Sequence, residues 1–365
     1  MPSPPGAKGA DENKATSDAP GGGGLSQFLG RVLDQLSLSS WLPAAMFVGN
    51  ASVLVKLRSQ AKPDLSSALD DLTGNAFGLL VALAFALVLA TIVTQAFEFE
   101  AIRLLEGYLD SARGPVHQVA GRRIKRHAAK QETLFSRRKE QEQEAFIAAR
   151  HAMLALPKPV ERTYLDVVED SVFGRPERPG LDPASRKVAL SLDWSRFVPA
   201  DVLYRLDALD ARARAYPQPH RLLPTRLGNV LRASEDLLPL APGENLEGFG
   251  IRHQDSLPET LKTEHRDYRT RLDMYCTLTL AFSVLVPLAG AALGPQLAGW
   301  QTALVCASYA VLAAVAYEAA IASARGYGDV LQEIGRHVRR ARQEAQDKPL
   351  SATARLRAFL HRHLV

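Results

Sequence analysis

The chain has 365 residues, 44 Lys and Arg against 39 Asp and Glu, a formal net charge of +5 and two cysteines. Two cysteines exclude a disulfide framework, and an arginine-dominated basic balance suits anionic lipid at least as well as nucleic acid. Mean hydropathy is near neutral at -0.08, but long uncharged runs are set apart from charge-dense ones, which an ordinary soluble domain would not do. The pattern predicts a mainly α protein: a polytopic α-helical membrane protein with four spans and a largely helical cytoplasmic insert.

Residues 1–24 are rich in Pro, Gly, Ala, Asp and Lys and nearly free of large apolar side chains, which predicts disorder. They contain no signal-peptide hydrophobic region, so the first span is expected to act as the signal anchor. Over 25–37, Leu25, Phe28, Leu29, Val32, Leu33 and Leu36 recur at helical spacing, predicting an amphipathic helix on the membrane surface. Within 38–98 lie two spans. The first, Trp41–Leu57, is short and weakened by Asn50 and Ser52, with Trp41 at one interface and Lys56 and Arg58 able to snorkel at the other. The second, AFGLLVALAFALVLATIVTQAF over Ala76–Phe97, carries no charge and is long enough for a hydrocarbon core of about 30 Å.

The segment 99–275 is expected to form a cytoplasmic helical domain. Its first helix runs on through FEFEAIRLLEGYLDSAR until Gly114-Pro115 breaks it. Val116–Leu156 then reads as a long exposed helix, with apolar positions too sparse for a sustained heptad. GRRIKRHAAK within it reads as a juxtamembrane headgroup contact rather than a nucleic-acid arm. Residues 157–200 hold many proline and glycine turn signals and read as an irregular linker with at most one or two short strands. Ala200–Tyr216 returns to helix, and Leu257–Tyr275 is a charged helix leading into the membrane.

Residues 276–324 form the third and fourth spans, a tight hairpin joined by Ala298–Gln301 with Pro287 and Pro295 as kink or end points. Small residues such as Ala303, Ala307 and Ala310 suit close helix contact. Residues 325–365 are a basic tail. Arginine and lysine crowd both the start of the insert and this tail, while 298–301 has none. The positive-inside rule therefore predicts cytoplasmic termini and a multi-pass membrane protein, with 58–75 as an external loop.

No metal-ligand spacing, phosphate loop or nucleophile elbow is present, so no catalytic, cofactor or metal residue is assigned. His361 and His363 lack partners at useful spacing. Glu98, Glu100 and Glu318 lie at or inside the inner ends of spans, where a carboxylate is costly unless paired. Arg103 or Arg325 is the expected partner. In LPTRLGNVLRASED (223–236), Leu227, Val230, Leu231, Ser234 and Leu237 fall on one helical face. Asn229, Arg232 and Asp236 fall opposite, with Arg232 and Asp236 placed to pair. Gly228 is unfavourable in a helix interior by about 1 kcal/mol relative to Ala. It therefore implies a close backbone approach, by a neighbouring helix or by a ligand. Arg226, Gly228, Asn229 and Arg232 are the candidate binding residues.

The segments FEFEAIRLLEGYL (97–109), LLPTRLGNVLRASED (222–236) and RTRLDMYCTL (269–278), ahead of a hydrophobic hairpin, resemble a group of uncharacterised bacterial integral membrane proteins. The resemblance implies that the LGN-containing segment belongs to the cytoplasmic part; it implies no activity or cofactor. Three functions are compatible with these features. The first is a membrane-anchored interaction or scaffold protein, with a protein partner or a homo-oligomer formed through the cytoplasmic domain. The second is a small transporter or channel using Glu318. The third is a membrane-surface enzyme with an anion site near Arg226, Asn229 and Arg232.

Overall fold

The computed structural model describes residues 38–60, 64, 67, 76–108, 115–176, 182–238, 249 and 252–347. The expected disordered terminus, the amphipathic helix at 25–37, most of the 58–75 loop and the stretch 348–365 with its two histidines lie outside them. The described residues form nine α-helices and no strand. In chain order these are α1 (Leu38–Ser59), α2 (Ala76–Glu106), α3 (Pro115–Leu154), α4 (Arg162–Phe173) and α5 (Pro183–Leu190). They are followed by α6 (Ala200–Ala213), α7 (Arg226–Glu235), α8 (Glu259–Leu293) and α9 (Gly299–Asp347).

Three of these helices, α2, α8 and α9, are long and apolar enough to cross a membrane. They carry an outward stripe of large apolar side chains. Phe85, Leu89, Ile92 and Phe97 of α2 are exposed, as are Leu304, Val311 and Val315 of α9. A soluble protein rarely tolerates a continuous apolar stripe of this kind. Helices α8 and α9 form the antiparallel hairpin, and α1 packs against α8 and α2. There Leu54 joins Phe282, Leu285 and Leu293 in one cluster, and the Tyr309 hydroxyl donates to Asn50 Oδ1 at 2.9 Å. Pro287 sits inside α8 without ending it.

Helix α9 differs from expectation in its second half. The sequence of 325–365 reads as a basic tail set apart from the span, yet 325–347 continues the same helix. Tyr327, Val330, Leu331, Ile334 and Val338 recur at three- and four-residue spacing and are buried with Leu227, Val230, Leu231 and Leu272. Charged residues between those positions masked an apolar face that α7 and α8 cover.

A second, separate cluster forms between α2 and α8 in sequence. Ala145, Phe146, Ala149 and Met153 of α3 are fully buried. Ala145, Ala149 and Met153 pack with Leu165 of α4, Leu206 of α6 and Trp194, and Phe146 meets the Trp194 ring edge-on at 5.5 Å. At 40 residues, α3 is about 60 Å long, and this head packs on its C-terminal part, away from the end of α2.

Two expectations fail here. Residues 157–200 are not an irregular linker: α4 and α5 occupy much of it, with a 3-10 turn at Trp194–Phe197. The prolines and glycines mark helix ends rather than absence of helix. Gly174 closes α4, while Asp182 caps α5 by accepting from Ser185 N–H at 3.1 Å, with Pro183 in the first turn. The first strong helix also stops earlier than Gly114-Pro115. It ends at Glu106, and Gly107 turns the chain with φ 95°, a conformation glycine adopts without Cβ strain.

Phe146→Ala should destabilise the head by about 3–5 kcal/mol. Hydrogen exchange would read this as faster exchange in α3, α4 and α6 with α8 and α9 unchanged; equal loss of protection in both regions would show that the two cores unfold together.

Candidate functional site

The LPTRLGN segment is a structural joint. Thr225 caps α7: its Oγ1 accepts from Gly228 N–H at 3.1 Å and donates to the Glu106 carbonyl at 2.8 Å. That carbonyl lies in the last turn of α2, where carbonyls lack intrahelical donors. A Cβ on Gly228 would overlap the Glu106 carbonyl oxygen and lie 2.8 Å from Leu223 Cδ1. A Cβ on Gly107 would likewise overlap the Pro224 ring. The glycine that helix propensity does not explain is therefore required by the approach of α2 to α7.

Asn229 is buried, not exposed as the helical wheel predicts. Its Oδ1 accepts from Leu223 N–H at 2.8 Å and its Nδ2 donates to Leu223 O at 3.0 Å. The amide satisfies both polar groups of a backbone residue that no helix serves. Leu237, expected inside, is exposed. Arg232 turns to the Tyr108 hydroxyl and lies over that ring at 5.5 Å, also approaching Glu235 at 3.9 Å. Asp236 is taken by Arg221 and by Gln218 N–H at 2.8 Å, so the expected Arg232–Asp236 pair does not form.

The ionisable residues are distributed as follows. Glu318 pairs with Arg226 of α7 rather than with Arg103 or Arg325; this long-range contact, 92 residues apart in sequence, could not be read from local spacing. Glu100 pairs with Arg103 at 3.4 Å. Glu98 has a buried carboxylate oxygen with no hydrogen-bond partner. Arg226, Asn229 and Arg232 do not converge on one point, because each is committed to a different neighbour.

What converges instead is a cationic hollow between α3, α7 and α9. Arg123, Arg126, His127 and Lys130 of α3 face Arg226 and Tyr317 across about 260 Å³. It opens into a larger hollow of about 520 Å³ that shares Lys130 and Arg226 and adds Arg137, Arg212 and Arg325. Among the described residues, no Asp or Glu lines either hollow. Among these cations, and within the described residues, Arg226 alone has a carboxylate partner. The His127 ring lies tilted against Tyr216 with centroids 6.0 Å apart, and its Nδ1 is buried without a hydrogen-bond partner. Burial, then Lys130, Arg123 and Arg226, lower the His127 pKa from its ordinary value, the response of an imidazole held in a positive field.

Sequence reasoning noticed GRRIKRHAAK but not its geometry. Positions 123, 126, 130, 134 and 137 fall on one helical face, and that stripe was the available signal. Arg212, Tyr216 and Tyr317 carried none, since only folding brings α6 and α9 to α3. Compared with known protein families, with curated proteins and with solved structures, the chain matches none.

Gly228→Ala should lower stability by about 1–3 kcal/mol, the cost of overpacking against backbone that cannot yield. A thermal melt in detergent should show it, whereas Gly121→Ala, which meets open space, should not lower the midpoint. For His127, the folded pKa lies below the unfolded one, so the unfolded chain binds the proton first. Its contribution is fully present above the ordinary histidine range and is lost as pH falls through the folded value. An NMR titration of His127 should therefore show a midpoint below that of an exposed histidine in the same chain.

Proposed function

We propose that this protein is a membrane-anchored docking protein of a bacterial cytoplasmic membrane, with its polar helical insert and both termini in the cytoplasm. Helix α1 is read as a fourth span. Its 22 residues cover about 33 Å, and it is packed along α8 as a span would be. The arginines that flank α2 and follow the apolar part of α9 support the orientation.

The observation that carries the docking role is the distal head. It has its own core on the C-terminal part of the 40-residue α3 and presents Tyr204, Val188 and Leu190 at 76, 59 and 51% exposure. Exposed tyrosine and aliphatic side chains on a rigid, remote platform fit a contact surface better than a substrate cleft. The transport reading loses its main support because Glu318 has a cationic partner in Arg226, at a point where both side chains are about half exposed.

A photo-crosslinking residue at position 204 or 188 in the full-length protein, irradiated in native membranes, should give one discrete adduct, either a partner or a second copy of the chain. The reading is overturned if neither position gives an adduct while proteoliposomes conduct an ion in a manner abolished by Glu318→Gln.

A further inference from the structure

The cationic hollow has an apolar neighbour on the side of the membrane-crossing helices. Leu104 and Leu105 at the end of α2, with Val116, Val119 and Ala120 at the start of α3, surround about 520 Å³ that abuts Pro224 and Tyr317. Arg123, Pro224, Thr225 and Tyr317 belong to both this hollow and the smaller cationic one. The order along α9 gives the direction. Tyr317 borders the apolar hollow and Arg325 the far cationic one, eight residues or about 12 Å further along the helix. Moving away from the apolar helices, a ligand would meet hydrocarbon walls first, then Arg123, Arg126, His127, Lys130 and Arg226.

We infer that these joined hollows hold a single anionic phospholipid, with acyl chain against Leu104, Val116, Val119 and Ala120 and its phosphate among Arg123, Arg126 and Lys130. A free phosphate would use the cationic part alone and leave the apolar part without a purpose. A neutral lipid would leave the cations without a counter-charge. Only an amphiphile with a negative head satisfies both, and the combined space is in the range of small-molecule sites. Guanidinium groups suit the phosphate through paired N–H donors. The Nδ1 of His127, buried without a hydrogen-bond partner, borders the same spot. The inference rests on the reading of the apolar helices as membrane spans but not on the docking role of the distal head.

The test is native mass spectrometry of the full-length protein in detergent with added phosphatidylglycerol or phosphatidylcholine. Wild type should retain phosphatidylglycerol in preference. Replacing Arg123, Arg126 and Lys130 together by Gln should reduce that preference by at least about tenfold. Arg126→Gln alone, a milder change, should reduce it less but in the same direction. Ala120→Trp, which fills the apolar hollow, should release the lipid while leaving the cations in place. Arg122→Gln, on the same helix but outside the lining, should behave as wild type. Equal retention of the two lipids, or loss in Arg122→Gln equal to that in the triple variant, overturns the site. Displacement of phosphatidylglycerol by equimolar glycerol 3-phosphate, with Ala120→Trp unaffected, also overturns it and makes the ligand a soluble phosphate. A protein that shows no lipid preference but still inserts into vesicles and still gives the adduct at position 204 has lost this site alone.

Discussion

The contact on which the described structure turns is the Glu106 carbonyl seated against Gly228 and Thr225. A helix C-terminus leaves carbonyls that need donors, and here the donor is the N-cap side chain of a helix 119 residues later in the chain. Because Gly228 lacks a Cβ, α7 can approach until that hydrogen bond closes. Once α7 is seated, Leu227, Val230 and Leu231 cover Tyr327, Leu331 and Ile334 of α9. Asn229 then holds Leu223, which places Pro224 and Thr225 as one wall of both the apolar and the cationic hollow.

Electrostatics at this level of the molecule are one-sided. Elsewhere in the insert, arginines are matched: Arg138 with Asp210, Arg150 with Asp166 and Glu169, Arg221 with Glu235 and Asp236. Arg138–Asp210 joins α3 to α6 across 72 residues, whereas the other pairs tie together segments that are neighbours in the chain. Arg123, Arg126, Lys130 and Arg325 have no such match among the described residues, although they sit closer to the apolar helices. Like charges gathered without counter-charge oppose folding unless something else supplies it. On the proposed membrane reading, anionic lipid supplies that negative charge.

Much of the architecture was legible because hydrophobic length is a local property. Uncharged runs of membrane-crossing length in α2, α8 and α9 need no partner to be recognised, and the long α3 follows from composition and the absence of proline. The span 157–200 was misread because Gly174 and Pro183, which punctuate helices, look in sequence like residues that forbid them. The helical wheel placed Asn229 outside because it treats polarity as exposure, whereas a buried amide is stable when its donor and acceptor both find backbone.

The sequence by itself determined the apolar helices, the charge asymmetry around them, the helical character of the insert and the anomaly of Gly228, since each depends on residues adjacent in the chain. Tertiary structure alone decided that Gly228 serves α2, that Glu318 answers Arg226, that half of α9 is core, and that two hollows of opposite character adjoin. Those outcomes join residues tens to more than a hundred positions apart. No local propensity encodes such distances; they follow from which apolar faces must be covered and which backbone groups must be satisfied when the helices close.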